Sequence, residues 1–275
     1  MRPSPSLIAL LLLGVLTAHA LVARAESTPA RPMGVDVLVQ GAIDIEVQPL
    51  LAALEGKREI QLGAWTFWRG RMGGKTVVVS RTEVGPINAA AATSIGILNF
   101  RPKLVINQGT AGAHVPELKI YDIVVSEMTT QHSAFESTYA AAGDGVSTSR
   151  WTPLYYRLRL DGKPHEFKGG FPGDEAAIRV ALLTRYPHGR VMKGVIGSAF
   201  EFNNEIDRIN WLHKTYGHLS SDMESVFSAG VARGLDTRFV AIRVVSNSAF
   251  LPDKPEPVSA RYCGQFVVAV IKQLP

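Results

Sequence analysis

A single cysteine, Cys263, in 275 residues excludes an internal disulfide, so stability must come from a packed core. Its apolar neighbours Phe266, Val267, Val268, Val270 and Ile271 mark Cys263 itself as a packing residue. No Walker loop, dinucleotide fingerprint or G-x-S-x-G elbow occurs, which argues against a nucleotide-dependent enzyme and against an α/β hydrolase of the serine type. The histidines at 114, 132, 165, 188, 213 and 218 show no paired ligand spacing, so neither a metal centre nor a cofactor is expected. Repeats and low-complexity tracts are missing as well. Lys and Arg number 29 against 24 Asp and Glu, a formal excess of +5 that is too small and too scattered for nucleic acid or an acidic membrane surface.

What is present begins with an apolar run at 7–16, preceded by Arg2 and followed by Ala23-Arg24-Ala25. The run is too short to anchor in a bilayer and has the order of a secretory signal peptide. The expected organisation is a signal peptide at 1–25, a linker at 26–33 and one domain at 34–275. The expected location is exported, periplasmic or secreted. Removing 1–25 takes away Arg2 and Arg24, leaving 250 residues and a balance of +3. That length suits one large domain with a single core, and the weak charge suits a small-molecule partner.

From Gly34 onward, strand and helix patterns alternate. Strands are expected at 35–42, 65–68, 76–80, 103–107, 120–126, 190–196 and 239–245. Helices are expected at 44–54, 87–98, 174–186, 205–216 and near the C-terminus, with a further helix of about three turns opening at Met223-Glu224. The run Phe239 to Val245 is nearly all apolar and β-branched, as in a strand covered on both faces. The rhythm predicts an α/β fold of three layers, a mixed, mostly parallel twisted sheet flanked by helices. Ligands of open α/β sheets sit beyond the carboxyl ends of such strands, which makes Ser246 and Asn247 pocket candidates. The stretch 129–172, rich in Gly, Ser, Tyr and Trp, reads as a long loop able to cover a site.

Four segments in order carry a resemblance: Gln40-Gly41-Ala42-Ile43-Asp44-Ile45-Glu46-Val47, Val105-Ile106-Asn107-Gln108-Gly109-Thr110-Ala111-Gly112, Ser221-Asp222-Met223-Glu224 and Ala241-Ile242-Arg243-Val244-Val245-Ser246-Asn247. Together they resemble the nucleoside phosphorylase and nucleosidase superfamily, most closely the methylthioadenosine/S-adenosylhomocysteine nucleosidases. The resemblance implies a nucleoside phosphorylase-like fold and cleavage of a purine N-glycosidic bond. It implies that Glu46 activates the attacking water, that Glu224 accepts hydrogen bonds from the ribose hydroxyls, and that Met223 packs on the sugar. Thr110, with Ala111 and Gly112, stands where the family usually has Gly-Ser-Ala-Gly. Phe200 and Glu201 fall where the family stacks the purine and binds it through the main chain. A homodimer is implied too, with Phe135 or Tyr139 as the aromatic that a neighbouring subunit would offer. The residues alone leave plainer readings open: Asp44 and Glu46 complement a helix dipole, Ser221-x-x-Glu224 is a capping box, and Gly109 and Gly112 mark a turn.

At Asn247 the sequence departs from the resemblance, because nucleosidases acting on adenine carry Asp there to protonate the purine N7. An amide donates a hydrogen bond but gives up no proton in this way. The trimeric purine nucleoside phosphorylases, distant relatives within the resemblance, use an Asn in their base pocket to recognise 6-oxopurines. The arginines that bind phosphate in the hexameric phosphorylases have no counterpart at 107–109 or after the first strand. Hydrolysis is therefore the expected activity, with Glu46, Glu224 and Asn247 as the catalytic set. The alternatives are a phosphate-dependent phosphorylase preferring 6-oxopurines and a non-catalytic nucleoside-binding or storage-type protein.

Overall fold

The computed structural model describes residues 34–154, 156–167, 169–251 and 257–275; the expected signal peptide and linker lie outside them. The strands are β1 (Val37–Gly41), β2 (Glu55–Leu62), β3 (Trp65–Met72), β4 (Lys75–Arg81), β5 (Leu104–Ala113), β6 (Ile123–Gln131), β7 (Phe135–Glu136), β8 (Thr152–Pro153), β9 (Tyr156–Leu160), β10 (Lys163–Phe167), β11 (Gly170–Pro172), β12 (Val191–Ser198), β13 (His218–Asp222) and β14 (Arg238–Ser248). The helices are α1 (Asp44–Ala52), α2 (Pro86–Phe100), α3 (Glu175–Leu183), α4 (Ile206–Tyr216), α5 (Ser225–Gly234) and α6 (Val258–Gln273). None of the helices among the described residues is long and apolar enough to cross a membrane.

Ten strands form one mixed sheet in the order β11-β6-β12-β13-β5-β1-β4-β3-β2, with β14 paired to both β5 and β6. Because β14 bridges β5 and β6 while β12 and β13 join them on the other side, those five strands close a ring of pairings. The ring replaces the open sheet edge assumed from the sequence. Parallel pairing runs through β4-β1-β5-β14 and β6-β12-β13, and antiparallel pairs border it.

Helices cover both faces. On one, Val47 and Leu50 of α1, Ala177 and Ile178 of α3, and Cys263, Phe266 and Val267 of α6 pack on Val39, Ile106 and Ile242. On the other, Ile97 and Phe100 of α2 and Val226 and Ala229 of α5 pack on Leu38, Val105 and Val245. Each fully buried side chain of this kind contributes about 1.5–3 kcal/mol, which is how the fold dispenses with disulfides. Burial pushes the Cys263 thiol up to about 12, in keeping with a packing role.

Several elements differ from the sequence reading for physical reasons. The segment 108–112, expected as a turn, continues β5, because its backbone pairs with β14 from Gln108↔Ile242 to Ala113↔Ser248. Helix α5 opens at Ser225, two residues after Met223, since the Asp222 side chain caps it from the end of β13. The expected loop at 129–172 contains the end of β6 and the short strands β7 to β11.

Candidate active site

The carboxyl ends of β1, β5, β13 and β14 meet around a cavity of about 190 Å³. Its lining includes Glu46, Thr110, Ala111, Gly112, Glu201, Met223, Glu224, Ser246 and Asn247, which brings together nine of the ten candidates named from the sequence. The exception is Phe200. Its exposed ring lies against Gly85, and Phe202 and Asn203 line the cavity instead.

Glu46 projects from the first turn of α1 and is 2 % exposed. One carboxylate oxygen accepts from the Ala42 amide at 2.7 Å and the Ile43 amide at 3.3 Å. The other accepts from the Thr110 amide at 3.0 Å and is 3.3 Å from the Thr110 hydroxyl. Glu46 thus serves the helix N-terminus, as the helix-dipole reading has it, but its second oxygen reaches across to β5 and faces the cavity. Gly109 makes that crossing possible: a Cβ there would lie 2.5 Å from Glu46 Oε1 and 2.7 Å from Arg243 Nη1.

Glu224 does not close a capping box with Ser221. Ser221 points the other way, its hydroxyl 2.8 Å from His132 Nε2, and Asp222 supplies the cap by accepting the Glu224 and Ser225 amides at 3.0 Å each. Freed from that duty, Glu224 accepts the Gly85 amide at 2.9 Å and faces the cavity at 5 % exposure. Gly85 holds φ at +96°, a left-handed value that suits glycine. Burial is the main influence on the Glu224 carboxyl; Arg243 opposes it and Asp222 and Glu46 reinforce it, so the group is pushed up to about 7.

Arg243 is the residue that sequence reading passed over. It stands in the middle of β14 at 1 % exposure, with Nε 2.7 Å from Asp222, Nη1 3.6 Å from Glu224, and hydrogen bonds to Ser225 and Asn107. It supplies the positive charge beneath three acids, without which their burial would be prohibitive. A lone cation in an apolar strand was the available signal. Arg81, by contrast, lies outside the cavity and pairs with Asp44 and Glu83 at 2.7 and 3.0 Å.

Asn247 is half-buried and accepts from the Ser246 hydroxyl at 3.0 Å, leaving its amide nitrogen over Gly112. His114, Glu201 and Ser221 add polar groups to the same lining. Phe135 packs against Trp151 and Trp211 within this chain, while Tyr139 is 90 % exposed. Among the described residues, no group of three metal-ligating side chains is found.

A family model described as the phosphorylase superfamily matches residues 36–271. The chain belongs to the phosphorylase superfamily. Among superfamily members it is 28% identical over 212 residues to the 5'-methylthioadenosine/S-adenosylhomocysteine nucleosidase of Geobacillus kaustophilus, covering 76% of this chain and 83% of that one. It is 26% identical to the enzyme of the same name from Tolumonas auensis, covering 85% and 97% of the two chains. The crystal structure of the Neisseria meningitidis nucleosidase with methylthio-immucillin-A superposes with a TM-score of 0.69 at 25% identity, covering 87% of this chain and 99% of that one. The nucleoside phosphorylase-like fold is thus common to all of them.

Proposed function

We propose that this protein hydrolyses the N-glycosidic bond of purine nucleosides, with methylthioadenosine and S-adenosylhomocysteine as the substrate class. The observation that carries the reading is the meeting of Glu46 and Glu224 on one cavity whose described lining holds no Lys or Arg. A phosphate dianion requires charged donors, and here Arg243 is buried and bound to Asp222, Glu224 and Asn107. Water is the nucleophile that such a cavity admits. Glu46 takes its proton, and the Thr110 hydroxyl beside the carboxylate orients it. Glu224 accepts from the ribose hydroxyls, a bond that strengthens as positive charge develops on the sugar. Met223 packs on the sugar, and Ser246 and Asn247 hold the base.

The test is incubation with methylthioadenosine, S-adenosylhomocysteine, adenosine and inosine, with and without phosphate, followed by detection of free base. Release indifferent to phosphate is expected; release that requires phosphate would overturn the hydrolase in favour of a phosphorylase. A second reading, favoured by the amide at Asn247, is a protein that binds nucleosides without cleaving them. It predicts bound nucleoside and no free base.

Two further proposals concern context. The 1–25 segment directs export, tested by cell fractionation of a tagged chain. Two copies associate through the apolar hollow between α2 and α5, lined by Leu98, Phe227, Val231 and Leu235, tested by sedimentation.

A further inference from the structure

Three side chains that the proposed mechanism leaves unused form a row at the cavity, two on its wall and one buried behind it. Ser221 Oγ lies 2.8 Å from His132 Nε2, and His132 Nδ1 lies 3.2 Å from Glu201 Oε1, an ion-pair contact rather than a well-aligned hydrogen bond. His132 is 1 % exposed, while Ser221 and Glu201 both border the cavity. Three distant parts of the chain are needed to build this row: the loop after β6, the loop after β12, and β13. The register also fixes where the row stands. Gly112 pairs with Ser221 on one side and with Asn247 on the other, so the two residues flank the same point of β5, two strand spacings or about 10 Å apart.

We propose that Ser221, backed by His132 and Glu201, delivers the proton to the departing base that Asn247 cannot supply. This rests on the hydrolase reading and deepens it. Ser221, which would touch the base, is the catalytic residue; His132 and Glu201 act through it. As the N9–C1′ bond breaks, its electron pair leaves with the base, which takes the Ser221 hydroxyl hydrogen. Ser221 Oγ in turn takes the hydrogen from His132 Nε2. Water adds to C1′ and gives its proton to Glu46, which returns it to solvent, and His132 regains a proton from solvent to close the cycle.

Both ring nitrogens of His132 face a polar partner, Ser221 at Nε2 and Glu201 at Nδ1. Burial works against the charged form of Glu201, yet the contact with His132 and the nearby Arg208 and His114 outweigh it and hold the carboxyl below its usual range. The other groups facing His132 are His114 just after β5, His218 of β13, and Arg208 and His213 of α4. Burial and the adjacent His132 push His114 down to about 3, and the same causes hold His218 well below its ordinary value. Among the described residues, His132 is the one of the three clustered rings within ion-pair distance of a carboxylate. Arg208 is drawn away by the Phe135 and Trp211 rings, each 5.0 Å from its guanidinium carbon, and stays 3.9 Å from Glu201.

The experiment compares wild type, Ser221→Ala, Ser221→Thr and His132→Gln on inosine and methylthioadenosine, whose bases need a proton, and on p-nitrophenyl β-D-ribofuranoside, whose leaving group does not. Loss of a general acid costs about 10²–10⁴ in rate. Ser221→Ala and His132→Gln should therefore lose at least ~100-fold more kcat on the purine substrates than on the nitrophenyl riboside. Ser221→Thr, which keeps the hydroxyl, should recover most of the difference. Equal losses on both substrates, or no loss, would overturn the relay while leaving the hydrolase standing. A wild-type protein that cleaves neither substrate would overturn the hydrolase reading itself.

Discussion

Replacing Glu46 by Gln separates a helix cap from a catalytic base, because the structure assigns both oxygens of this carboxylate. The Ala42 and Ile43 amides occupy one, and the Thr110 amide occupies the other. Whichever way a glutamine amide is turned, its NH₂ group confronts at least one backbone N–H, so one or two charge-assisted bonds are lost and a buried donor is stranded. At about 1.5–3 kcal/mol for a bond to a charged group and about 1–3 kcal/mol for an unpaired donor, the expected loss of stability is ~2–4 kcal/mol. For a domain of this size that lowers Tm by roughly 5–15 °C, read by calorimetry. Independently, loss of the base should lower kcat by about 10²–10⁴ at a temperature where the variant is folded, with little change in KM, read from the absorbance change on base release. Removing the Glu46 charge also relieves Glu224, whose pH of ionisation should move down. A Glu46→Gln variant with reduced Tm but kcat within threefold of wild type would show that the carboxylate only caps α1, and the water-activating role would fall.

Asn247→Asp introduces a carboxyl next to the Ser246 hydroxyl in a cavity already lined by Glu46, Glu201, Asp222 and Glu224. That acidic company favours its protonated form, so in a Ser221→Ala background, where the relay is gone, turnover of adenine nucleosides should rise by at least ~10-fold, toward the 10²–10⁴ typical of a general acid. An unchanged rate in that background would refute the idea that an acid at position 247 can supply the proton. For Glu224 the sign follows from burial: its folded-state value of about 7 exceeds the usual 4.5, so between these two the folded form holds more protons than the unfolded one. Stability contributed by the protonated group should be present below pH 4.5 and be lost as pH rises to about 7, with urea midpoints falling in wild type and flatter in Glu224→Gln. Identical slopes would count against it. Activity should run the opposite way, rising through the same window as Glu224 becomes able to accept ribose hydroxyls, and an activity maximum below it would contradict the assigned role.

The central strands and the helices were readable because that part of the sheet is built from long β-branched runs separated by glycine and helical patterns, whereas β2 and β13, polar and without such a run, were not. Convergence of Glu46, Glu224 and Asn247 was readable only through resemblance, since nothing in spacing relates residues at opposite ends of the chain. What was misread follows a common cause: a side chain's local role was inferred from its sequence neighbours when a distant partner decides it. Ser221 and Glu224 have the spacing of a capping box, but Asp222 takes the cap while His132 claims Ser221 and Gly85 claims Glu224. Gly109 reads as a turn signal, but its missing side chain serves to let Glu46 and Arg243 approach across a continuous strand. Phe200 and Phe202 are indistinguishable in composition, and only the path of the chain after β12 decides which one borders the cavity.

Arg243 shows the same principle in energetic terms. Within Phe239 to Val245 it reads as an interruption of an apolar strand, yet at 1 % exposure no solvated position is open to it. Its burial would lower its proton affinity, but Asp222, Glu224 and Glu46 more than reverse that and hold it charged. Each of those acids is in turn tolerable inside the fold only because Arg243 is there, so none of the four has an independent stability that sequence inspection could assign. The net effect still leaves Glu224 poised near neutrality rather than firmly ionised, which is the condition under which a small change of charge, such as a developing cation on a bound sugar, shifts it most. The same balance explains why Arg243, beneath the cavity, offers no charge to phosphate: it is consumed in holding the acids together, and the described residues lining the cavity include no Lys or Arg.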